Sequence, residues 1–277
     1  MRLDGKTILI TGSTDGVGRR TAERLGAMGA RVLVHGRDRA RGAKVIDTLQ
    51  AAGAEAKFHP ADLSSLAEVR RLADAVRKEH GRLDVLINNA GIGFGGPLAT
   101  RQVSADGHEL VFAVNYLAGF LLTALLLPLL RASAPARIVN VASAGQQAID
   151  FDDVMLARDY NGGRAYRQSK LAQIMFTFDL AQALKGTGVT ATCLHPATFM
   201  DTTMVRQAGT TPISTVDDGA DSIMNLAVTP EMEGRSGLYF NRLAETRANE
   251  QAYDAGARAK LRALSLRLTG LPGNAWA

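Results

Sequence analysis

The sequence predicts a single α/β domain built on a doubly wound parallel sheet, and three observations support this fold class. Short runs rich in β-branched residues alternate with longer segments of helical periodicity along most of the 277 residues. A glycine directly follows most of the helical segments, where a chain can leave a helix. No internal repeat, low-complexity tract or Pro/Gly/Ser-rich linker divides the chain. We therefore expect right-handed βαβ units that share one sheet, with helices on both faces, over residues 1–277.

The predicted elements alternate regularly from the N-terminus. Strands are predicted at Lys6–Ile10, Arg31–His35, Ala56–His59, Val85–Ile87, Arg137–Val141, Val189–Leu194 and Gly237–Phe240. Helices are predicted at Val17–Met28, Ala40–Ala52, Ser64–Glu79, His108–Leu130 and Ala165–Lys185, with stop signals at Gly29, Gly53, Gly81 and Gly186. Ser64, with Glu68 a turn later, is predicted to cap the third helix. In such a Rossmann-like fold a ligand binds beyond the C-terminal ends of the strands.

The composition is that of a globular chain, with 46% hydrophobic and 21% charged residues. The net charge of +5 is spread along the chain without a block of like charges, so we expect no nucleic-acid partner. The single cysteine, Cys193, lies in an apolar strand and has no partner for an internal disulfide. Residues 1–6 are polar and lack the apolar core of a signal peptide. These features predict a cytoplasmic protein.

One long apolar segment has two interpretations. The residues from Leu110 to Leu130 include no charge, and this length approaches that of a membrane span. Three features favour a buried helix instead: Asn115 within the segment, Pro128 near its end and the strand-like IVNVAS after it. No membrane span is therefore predicted. Its apolar surface exceeds what one side of a sheet needs. We therefore predict a dimer or tetramer that buries the His108–Leu130 and Ala165–Lys185 helices between subunits.

A glycine-rich turn follows the first predicted strand and opens the first predicted helix. Such a turn brings backbone N–H groups and the positive end of a helix close to a pyrophosphate. Gly12 permits the tight turn, and Gly16 permits the close approach of the backbone to the pyrophosphate. Gly18 permits the helix to pack closely on the sheet. Glycine loops are common, but the strand before this one and the helix after it favour nucleotide binding. The predicted phosphate-binding residues are Gly12, Ser13, Thr14, Asp15, Gly16, Val17 and Gly18.

Tyr166 and Lys170 are four residues apart in a helical segment and therefore lie on one face. An ammonium near a phenol favours the phenolate and lowers the phenol's pKa, which suits proton transfer. Ser143 follows the strand Arg137–Val141 and reaches the same crevice, although a turn-capping role is equally ordinary for a serine in Ser-Ala-Gly. Asn115 carries an amide that needs partners in an apolar helix. These four residues are the predicted catalytic group.

These motifs together resemble those of the short-chain dehydrogenases/reductases. The glycine turn has that family's spacing, Thr-Gly-x-x-x-Gly-x-Gly. The resemblance continues in order through Asp62-Leu63, Asn88-Asn89-Ala90-Gly91, Asn115, Ser143, Tyr166-x-x-x-Lys170 and His195-Pro196, which covers most of the chain. The stretches TGSTDGVGRRTAERLGAMGARV and AYRQSKLAQIMFTFDLAQAL look most like the retinol-dehydrogenase-like subgroup.

The resemblance implies an NAD(P)-dependent enzyme that interconverts a carbonyl compound and its alcohol. In that family Ser143 would polarise the carbonyl while Tyr166 donates the proton. Lys170 would also bind the nicotinamide ribose, and Asn115 would hold a water that relays protons to Lys170. Tyr166 and Lys170 therefore count among the cofactor-binding residues as well as the catalytic ones.

The remaining cofactor contacts are also implied by the resemblance. Asp62 and Leu63 would contact the adenine, and Asn89, Ala90 and Gly91 would let the cofactor cross the sheet. Asn88 either belongs to this crossing or only ties neighbouring strands together. Pro196, Thr198 and Thr202 would lie near the nicotinamide. Alanine replaces the usual glycine after Pro196, which leaves open whether Thr198, Thr202 or Thr203 meets the carboxamide; Thr202 is favoured.

The end of the second strand predicts NADPH rather than NADH. Glycine stands at position 36, where NAD enzymes of the family carry an acid, and Arg37 follows it. A guanidinium can hold a 2′-phosphate through two hydrogen bonds, although Arg37 is also an ordinary surface residue. Asp38 would reverse the preference if it turned to the ribose. Arg19 would add a second positive charge.

The segment Thr198–Thr211 is predicted to form a mobile lid over an apolar substrate site. It carries Phe199, Met200, Met204 and Val205 without a clear strand or long-helix pattern, and Phe94 would line the opposite wall. Packing of these side chains into the core is the alternative. The loop Ala144–Ala165 is longer than in much of the family, as in the retinol-dehydrogenase-like subgroup.

Two other functions remain as alternatives. One is a redox sensor or scaffold that binds the dinucleotide without turnover, which has no need for Ser143, Tyr166, Lys170 and Asn115 together. The other is a nucleotide-sugar epimerase, whose larger C-terminal substrate domain has no counterpart in this sequence. The five histidines show no metal-ligand spacing, so no metal site is predicted. The sequence identifies neither the substrate nor the direction of the reaction.

Overall fold

A computed structural model describes residues 1–93 and 95–276, and eight strands form one sheet in it. The strands are β1 Thr7–Ile10, β2 Arg31–Gly36, β3 Ala56–Pro60, β4 Val85–Asn88, β5 Ala136–Val141, β6 Val189–His195, β7 Leu238–Asn241 and β8 Ala244–Glu245. Their order is β3-β2-β1-β4-β5-β6-β7-β8, parallel throughout except for the antiparallel pair β7–β8. The order reverses between β1 and β4, where a doubly wound sheet opens its ligand crevice.

Nine α-helices and four shorter helical turns are described around the sheet. The α-helices are α1 Gly16–Ala27, α2 Arg39–Ala51, α3 Leu66–Glu79, α4 Leu110–Phe112, α5 Ala118–Ala132, α6 Gly162–Ala183, α7 Thr203–Gln207, α8 Val216–Val228 and α9 Ala255–Thr269. A π-helical turn, Ala113–Leu117, joins α4 to α5, and 3₁₀ turns lie at Gly96–Ala99, Pro230–Met232 and Glu250–Tyr253.

Alternation along the strands divides the core into two layers. Ile8 and Ile10 pack with α1, α2 and α8 on one face, whereas Leu9 packs with α3, α5, α6 and α9 on the other. Successive side chains of a strand point to opposite faces, so continuously apolar strands such as β1 must be covered on both sides. The fold class predicted from the sequence is confirmed.

The seven predicted strands and five predicted helices are all present, with ends shifted by at most three residues. Two predictions were incomplete or wrong. The helices α7, α8 and α9 and the short strand β8 were missed, and the cap of α3 is Ser65, which accepts a hydrogen bond from the N–H of Glu68, rather than Ser64. Element boundaries depend on local hydrogen bonds that periodicity does not resolve.

The apolar segment forms one continuous helix, Leu110–Ala132, across α4, the π turn and α5. Among the described residues it alone is long and apolar enough to cross a bilayer, and 78% of its most apolar window is buried inside the protein. The core helix of a globular protein meets the same criteria of length and composition.

The face of α5 and α6 that we assigned to a subunit interface is covered by α9 and Trp276 of the same chain. Leu261 is 1% exposed within this layer. Phe120 and Phe176 contact the ring of Trp276 at centroid distances of 5.0 and 5.6 Å. Tyr116 shares a hydrogen bond of 2.7 Å with Ser265, and Arg262 pairs with Asp179. The apolar surplus therefore does not require a second subunit, and the oligomer stays a prediction without that reason.

Candidate active site

The predicted site residues meet at one end of the sheet, beyond the C-terminal ends of β1, β4, β5 and β6. The glycine turn follows β1, Asn89 to Gly91 follow β4, Ser143 follows β5 and Pro196 follows β6. Tyr166 and Lys170 reach this end from α6. Parallel strands bring these loops to one edge although they are far apart in the chain.

The glycine turn packs closely against the loop after β4. Gly12 has a φ of 66°, and a Cβ there would lie 2.8 Å from Cα of Ala90. A Cβ at Gly18 would clash with the amide of Asn89 and the carbonyl of Gly12. Asp15 caps α1 by accepting a hydrogen bond from the N–H of Gly16. The turn thus presents backbone at the start of a twelve-residue helix, which fits a pyrophosphate.

Two side chains that the sequence did not single out hold this turn. The Oγ1 of Thr11 accepts hydrogen bonds from the N–H groups of Asn89 and Ala90, at 2.9 and 3.0 Å. Nδ1 of His35 accepts from the N–H of Gly12 at 3.1 Å. The amide of Asn89 donates to the carbonyls of Thr11 and Gly12. The family motif begins at Thr11 and could have identified it; nothing in the sequence pointed to His35.

Some residues at or near the predicted cofactor site are buried or hydrogen-bonded within the protein. Ser13 is fully buried, with its Oγ donating to the carbonyl of Ile10 and accepting from the N–H of His35. Asn88 donates to Thr123 and Asn140, which agrees with the strand-tying alternative. Leu63 is buried. Oδ1 of Asp62 accepts from the N–H of Ser64.

The charged side chains beyond β2 differ in whether they are paired within the protein. A Cβ at Gly36 would lie 2.6 Å from Thr14, so no acid fits at that position. Asp38 caps α2 and accepts hydrogen bonds from the backbone and the Nε of Arg41, which keeps its pKa below the ordinary value. Arg37 is exposed. Arg19 is partly exposed and forms an ion pair with Glu23, and its predicted role as a second positive charge stays a prediction.

Arg41 is a further basic residue at this rim that the sequence did not point to. Its Nη1 lies 3.5 Å from the carboxylate of Asp15 in the glycine turn. Arg41 therefore connects the start of α2 to the phosphate-binding turn. Its position three residues after Asp38, in the first turn of α2, is the only signal that the sequence offered.

Ser143, Tyr166 and Lys170 are brought together as predicted. The side chains of Ser143 and Tyr166 are hydrogen-bonded, and Nζ of Lys170 lies 5.7 Å from the centroid of the Tyr166 ring. Nζ of Lys170 donates to the carbonyl of Val141 at 3.0 Å and to Oε1 of Gln173 at 2.9 Å. Tyr239 of β7, which the sequence did not suggest, donates to the carbonyl of Ser143.

Burial dominates the electrostatics of this group. It raises the pKa of Tyr166 above its ordinary value, and the hydrogen bond with Ser143 offsets this only in part. Burial also lowers the pKa of Lys170 to about 7. The lowering of the phenol's pKa that the Tyr–Lys spacing predicts is therefore wrong for this arrangement, because desolvation disfavours both charged forms.

Asn115 lies in the π-helical turn, and both the oxygen and the nitrogen of its side-chain amide are hydrogen-bonded. Its Oδ1 accepts from the N–H of Ile92 at 2.7 Å, while its Nδ2 donates to the carbonyl of Ile92 and to Ser169. A Cβ at Gly91 would be 3.3 Å from Oδ1 of Asn115 and 3.5 Å from Nζ of Lys170. A side chain at position 91 would therefore lie in contact with both groups, closely so with Asn115.

The threonines after β6 have different partners. Oγ1 of Thr198 lies 2.9 Å from Nε2 of His195, whereas Thr202 caps α7. Thr203 donates to Asp15 of the glycine turn at 2.8 Å, and a Cβ at Gly16 would lie 3.2 Å from Thr202. The segment is thus seated on the phosphate-binding turn.

The predicted lid contains one short helix, α7, that the sequence did not indicate. Phe199 is 43% exposed, while Met200 packs towards Gly219 of α8 and Met204 towards Gly93. The segment therefore mixes exposed and packed apolar side chains. Phe94, expected on the opposite wall, lies outside the described residues.

Comparison with known proteins agrees with this geometry. A family model described as short chain dehydrogenase matches residues 6–212. Human retinol dehydrogenase 14 is 40% identical, over 97% of this chain and 88% of that protein, and human retinol dehydrogenase 11 is 36% identical over 98% and 88%. A crystal structure from Mycobacterium paratuberculosis has a TM-score of 0.80 at 30% identity, covering 98% of this chain and 95% of that one. The Pseudomonas aeruginosa RhlG/NADP active-site complex has a TM-score of 0.72 at 32% identity, covering 87% and 95%.

Proposed function

The chain belongs to the short-chain dehydrogenase/reductase family and is an NAD(P)-dependent oxidoreductase of the retinol-dehydrogenase-like type, and from this premise we propose that it uses NADPH to interconvert a hydrophobic carbonyl compound and its alcohol. The observation that carries the proposal is the hydrogen-bonded pair Ser143–Tyr166 beside the buried Lys170, at the strand ends next to the glycine turn. A protein that only bound the dinucleotide would not need this set.

Tyr166 and Ser143 are assigned to the substrate oxygen. The NADPH cofactor supplies the hydride in the reductive direction. Ser143 donates a hydrogen bond to the carbonyl oxygen, and Tyr166 transfers its phenolic proton as negative charge develops there. In the oxidative direction the same phenol oxygen takes the proton from the alcohol. Because burial raises the pKa of Tyr166, the phenol keeps its proton at neutral pH until negative charge develops on the substrate oxygen.

Lys170 is assigned to two tasks, binding the nicotinamide ribose and returning a proton to Tyr166. Its pKa of about 7 lets it gain or lose a proton near neutrality. Val141 and Gln173 hold its amine by accepting hydrogen bonds. Asn115 is assigned to a water beside Lys170, since Oδ1 of Asn115 and Nζ of Lys170 both lie beside Gly91.

The preference for NADPH rests on the rim formed by Gly36, Arg37 and Asp38. Thr14 excludes an acid at position 36, and the carboxylate of Asp38 is held by Arg41 and the start of α2 instead of turning to a ribose. Arg37 is exposed and free to meet a 2′-phosphate. Two solved relatives, the P. aeruginosa complex and a Burkholderia cenocepacia dehydrogenase, carry NADP.

A bulky apolar substrate is supported by the segment Thr198–Thr211. Phe199 offers an exposed ring, and Met204 lies above the loop after β4. The relatives with highest identity among those named above are retinol dehydrogenases, whose named substrate is a long apolar alcohol. We propose the same chemical class here.

We also propose the cytoplasm as compartment, because the single cysteine, Cys193, has no partner for an internal disulfide, which fits a reducing environment. The predicted dimer or tetramer would have to pair through a surface other than the covered face of α5 and α6.

A substrate screen tests the proposal. Ketones, aldehydes and alcohols of increasing apolar size are incubated with NADPH or NADP, and the absorbance of NADPH is followed. We expect turnover that rises with apolar size and disappears in Tyr166→Phe. Turnover that survives in Tyr166→Phe would assign the reaction to a contaminant or to another residue. Bound NADPH without turnover of any compound would favour a sensor.

A further inference from the structure

A second cluster of chemically capable side chains lies away from the catalytic group, at the edge strand of the sheet. His59 lies on β3, and Glu79 and His80 lie at the end of α3. His59 and His80 are only 4% and 8% exposed, and neither has a role in the proposed reaction. His59 lies 20 positions before Glu79 and 21 before His80, so local spacing did not reveal the cluster.

The donor atoms of this cluster converge on one point. Nε2 of His59 and Nε2 of His80 are 3.1 Å apart, with the two rings nearly perpendicular at 72°. Two nitrogens that bind one zinc ion tetrahedrally at about 2.0–2.1 Å are separated by about 3.4 Å. One ligand atom from each of His59, Glu79 and His80 lies within 4.8 Å of the others. From this convergence we propose that His59, Glu79 and His80 bind a zinc ion, with water in the fourth position.

The carboxylate can complete the site because it is at the surface. Glu79 is 38% exposed, and its Oε2 lies 3.9 Å from Nδ1 of His59. Lys57 pairs with the same oxygen at 2.9 Å, but it is itself half-exposed and can turn to solvent. Besides these, Arg31 and Glu55 face His80, so the nearby charges balance. In the observed arrangement the carboxylate lies on the Nδ1 side of His59, so it must turn towards the two Nε2 atoms to complete the site.

The two imidazoles are suitable ligands for a divalent cation. Both rings are buried, and their Nε2 atoms face each other. Neutral imidazole is the ligand form, and two imidazoles with one carboxylate suit Zn²⁺ or its spectroscopic substitute Co²⁺. The ion would fasten the edge strand β3 to the end of α3.

Metal titration of the whole, tag-free protein tests the site. After treatment with a chelator, Zn²⁺ is added in a calorimeter and Co²⁺ in a spectrophotometer. We expect one ion per chain, visible absorption bands typical of tetrahedral Co²⁺, and a higher melting temperature with Zn²⁺. His80→Gln should abolish this binding. Glu79→Gln should weaken it about 10–100-fold, and His108→Gln, which lies outside the cluster, should leave it unchanged.

The alternative is a hydrogen bond between the two imidazoles without a metal. Absence of saturable binding in the wild-type protein would establish that alternative and overturn the proposal. Binding that persists in His80→Gln, or that Glu79→Gln leaves unchanged, would also overturn it. Circular dichroism confirms that each variant is folded, and catalytic rates should be equal in all of them because the cluster is remote from Tyr166.

Discussion

Lys170 is a cationic side chain that the protein encloses, with 4% of its surface exposed. Its hydrogen bonds to Val141 and Gln173 compensate only partly for lost water, which is why its pKa falls to about 7. The same burial raises the pKa of Tyr166. Compared with the free side chains, Lys170 therefore has a pKa closer to neutral pH, and Tyr166 has a pKa further from it.

The Tyr166→Phe variant should lose turnover and keep its affinity for NADPH. The phenol contributes a proton in the transition state, and acid–base groups typically supply at least about 100-fold in rate. Stopped turnover and an unchanged NADPH dissociation constant, measured by fluorescence titration, are the expected results. A variant that kept more than about a tenth of the wild-type rate would contradict the role. Tyr160→Phe, a half-buried tyrosine on the loop before α6, is the matched control.

The stability of the protein without cofactor should depend on Lys170 between pH 7 and pH 9. In this window the folded lysine, with a pKa of about 7, binds fewer protons than the unfolded one, whose ordinary value is 10.5. Stability therefore rises with pH, by at most about 1.4 kcal/mol per pH unit from this group. Urea midpoints of wild type and Lys170→Met, compared across the window, should show this slope only in the wild type. Lys185→Met, at an exposed position, should keep it; equal slopes in all three proteins would refute the buried lysine.

Arg37→Ala should weaken NADPH by about ten- to a hundredfold and leave NADH nearly unchanged. A charge-assisted hydrogen bond is worth about 1.5–3 kcal/mol, which gives this factor. Dissociation constants for both cofactors at one ionic strength measure it. Arg39→Ala, an exposed arginine of the same turn, controls for general loss of positive charge. Equal constants for NADPH and NADH in the wild type would refute the preference.

Much of the site was predictable because the residues that bear the chemistry stand in motifs. Tyr166, Lys170, Ser143 and the glycine turn are examples, since their spacing or family resemblance names them. His35 and Tyr239 were not predictable, because each acts on backbone atoms of a segment far away in the chain. Only the sheet register brings such partners together.

At the scale of elements, a single hydrogen bond joins the segment after β6 to the carboxylate of Asp15 in the phosphate-binding turn. Thr203 of α7 donates to Asp15, and Asp15 also caps α1 and lies near Arg41. This single carboxylate thus links the lid, the phosphate-binding turn and the rim that is proposed to read the 2′-phosphate.

The Thr203→Val variant should loosen α7 without unfolding the protein. It keeps the shape of the side chain and removes the hydrogen bond to Asp15. We expect faster amide hydrogen exchange across residues 203–208 and unchanged exchange in the sheet, because local opening follows the loss of local contacts. Thr210→Val, in the same segment, is the control. Identical exchange in Thr203→Val and wild type would show that the contact does not hold the lid.

The two longer helices that the sequence analysis missed, α8 and α9, differ in how clearly the sequence indicates them. For α8 a signal exists, since Thr215 and Asp218 form a reciprocal capping box before an apolar stretch. For α9 the signal is weak, because basic residues interrupt AGARAKLRALSLRLT on most sides. Its helix is stabilised by packing on α6 and the π turn, which is a tertiary contact and not a local pattern.

At the scale of the whole molecule, α9 completes the second core layer. Weakening its packing there should lower the free energy of unfolding. Leu261→Ala truncates a side chain that is 1% exposed between α9 and α6, so we expect a loss of about 2–5 kcal/mol in the free energy of unfolding. Urea denaturation measures it. Leu243→Ala, at an exposed position on the β7–β8 turn, is the control and should cost little. A loss below about 1 kcal/mol for Leu261→Ala would show that α9 is not part of the core.

Light scattering decides the predicted assembly. A dimer or tetramer with α9 in place would have to use a surface other than the face of α5 and α6 that α9 covers. The mass of one chain at micromolar concentration would contradict the predicted oligomer and leave α9 as the sole cover of that face.

The position of α9 in the chain also sets an order of events during synthesis. Tyr166 and Lys170 leave the ribosome well before residues 255–276, and at about 5–20 residues per second the delay is several seconds. During that time Phe120 and Phe176 have no cover, and the nascent protein presents an apolar surface to its surroundings. We expect chaperones to bind the chain at this stage, and expression at lower temperature to improve its yield.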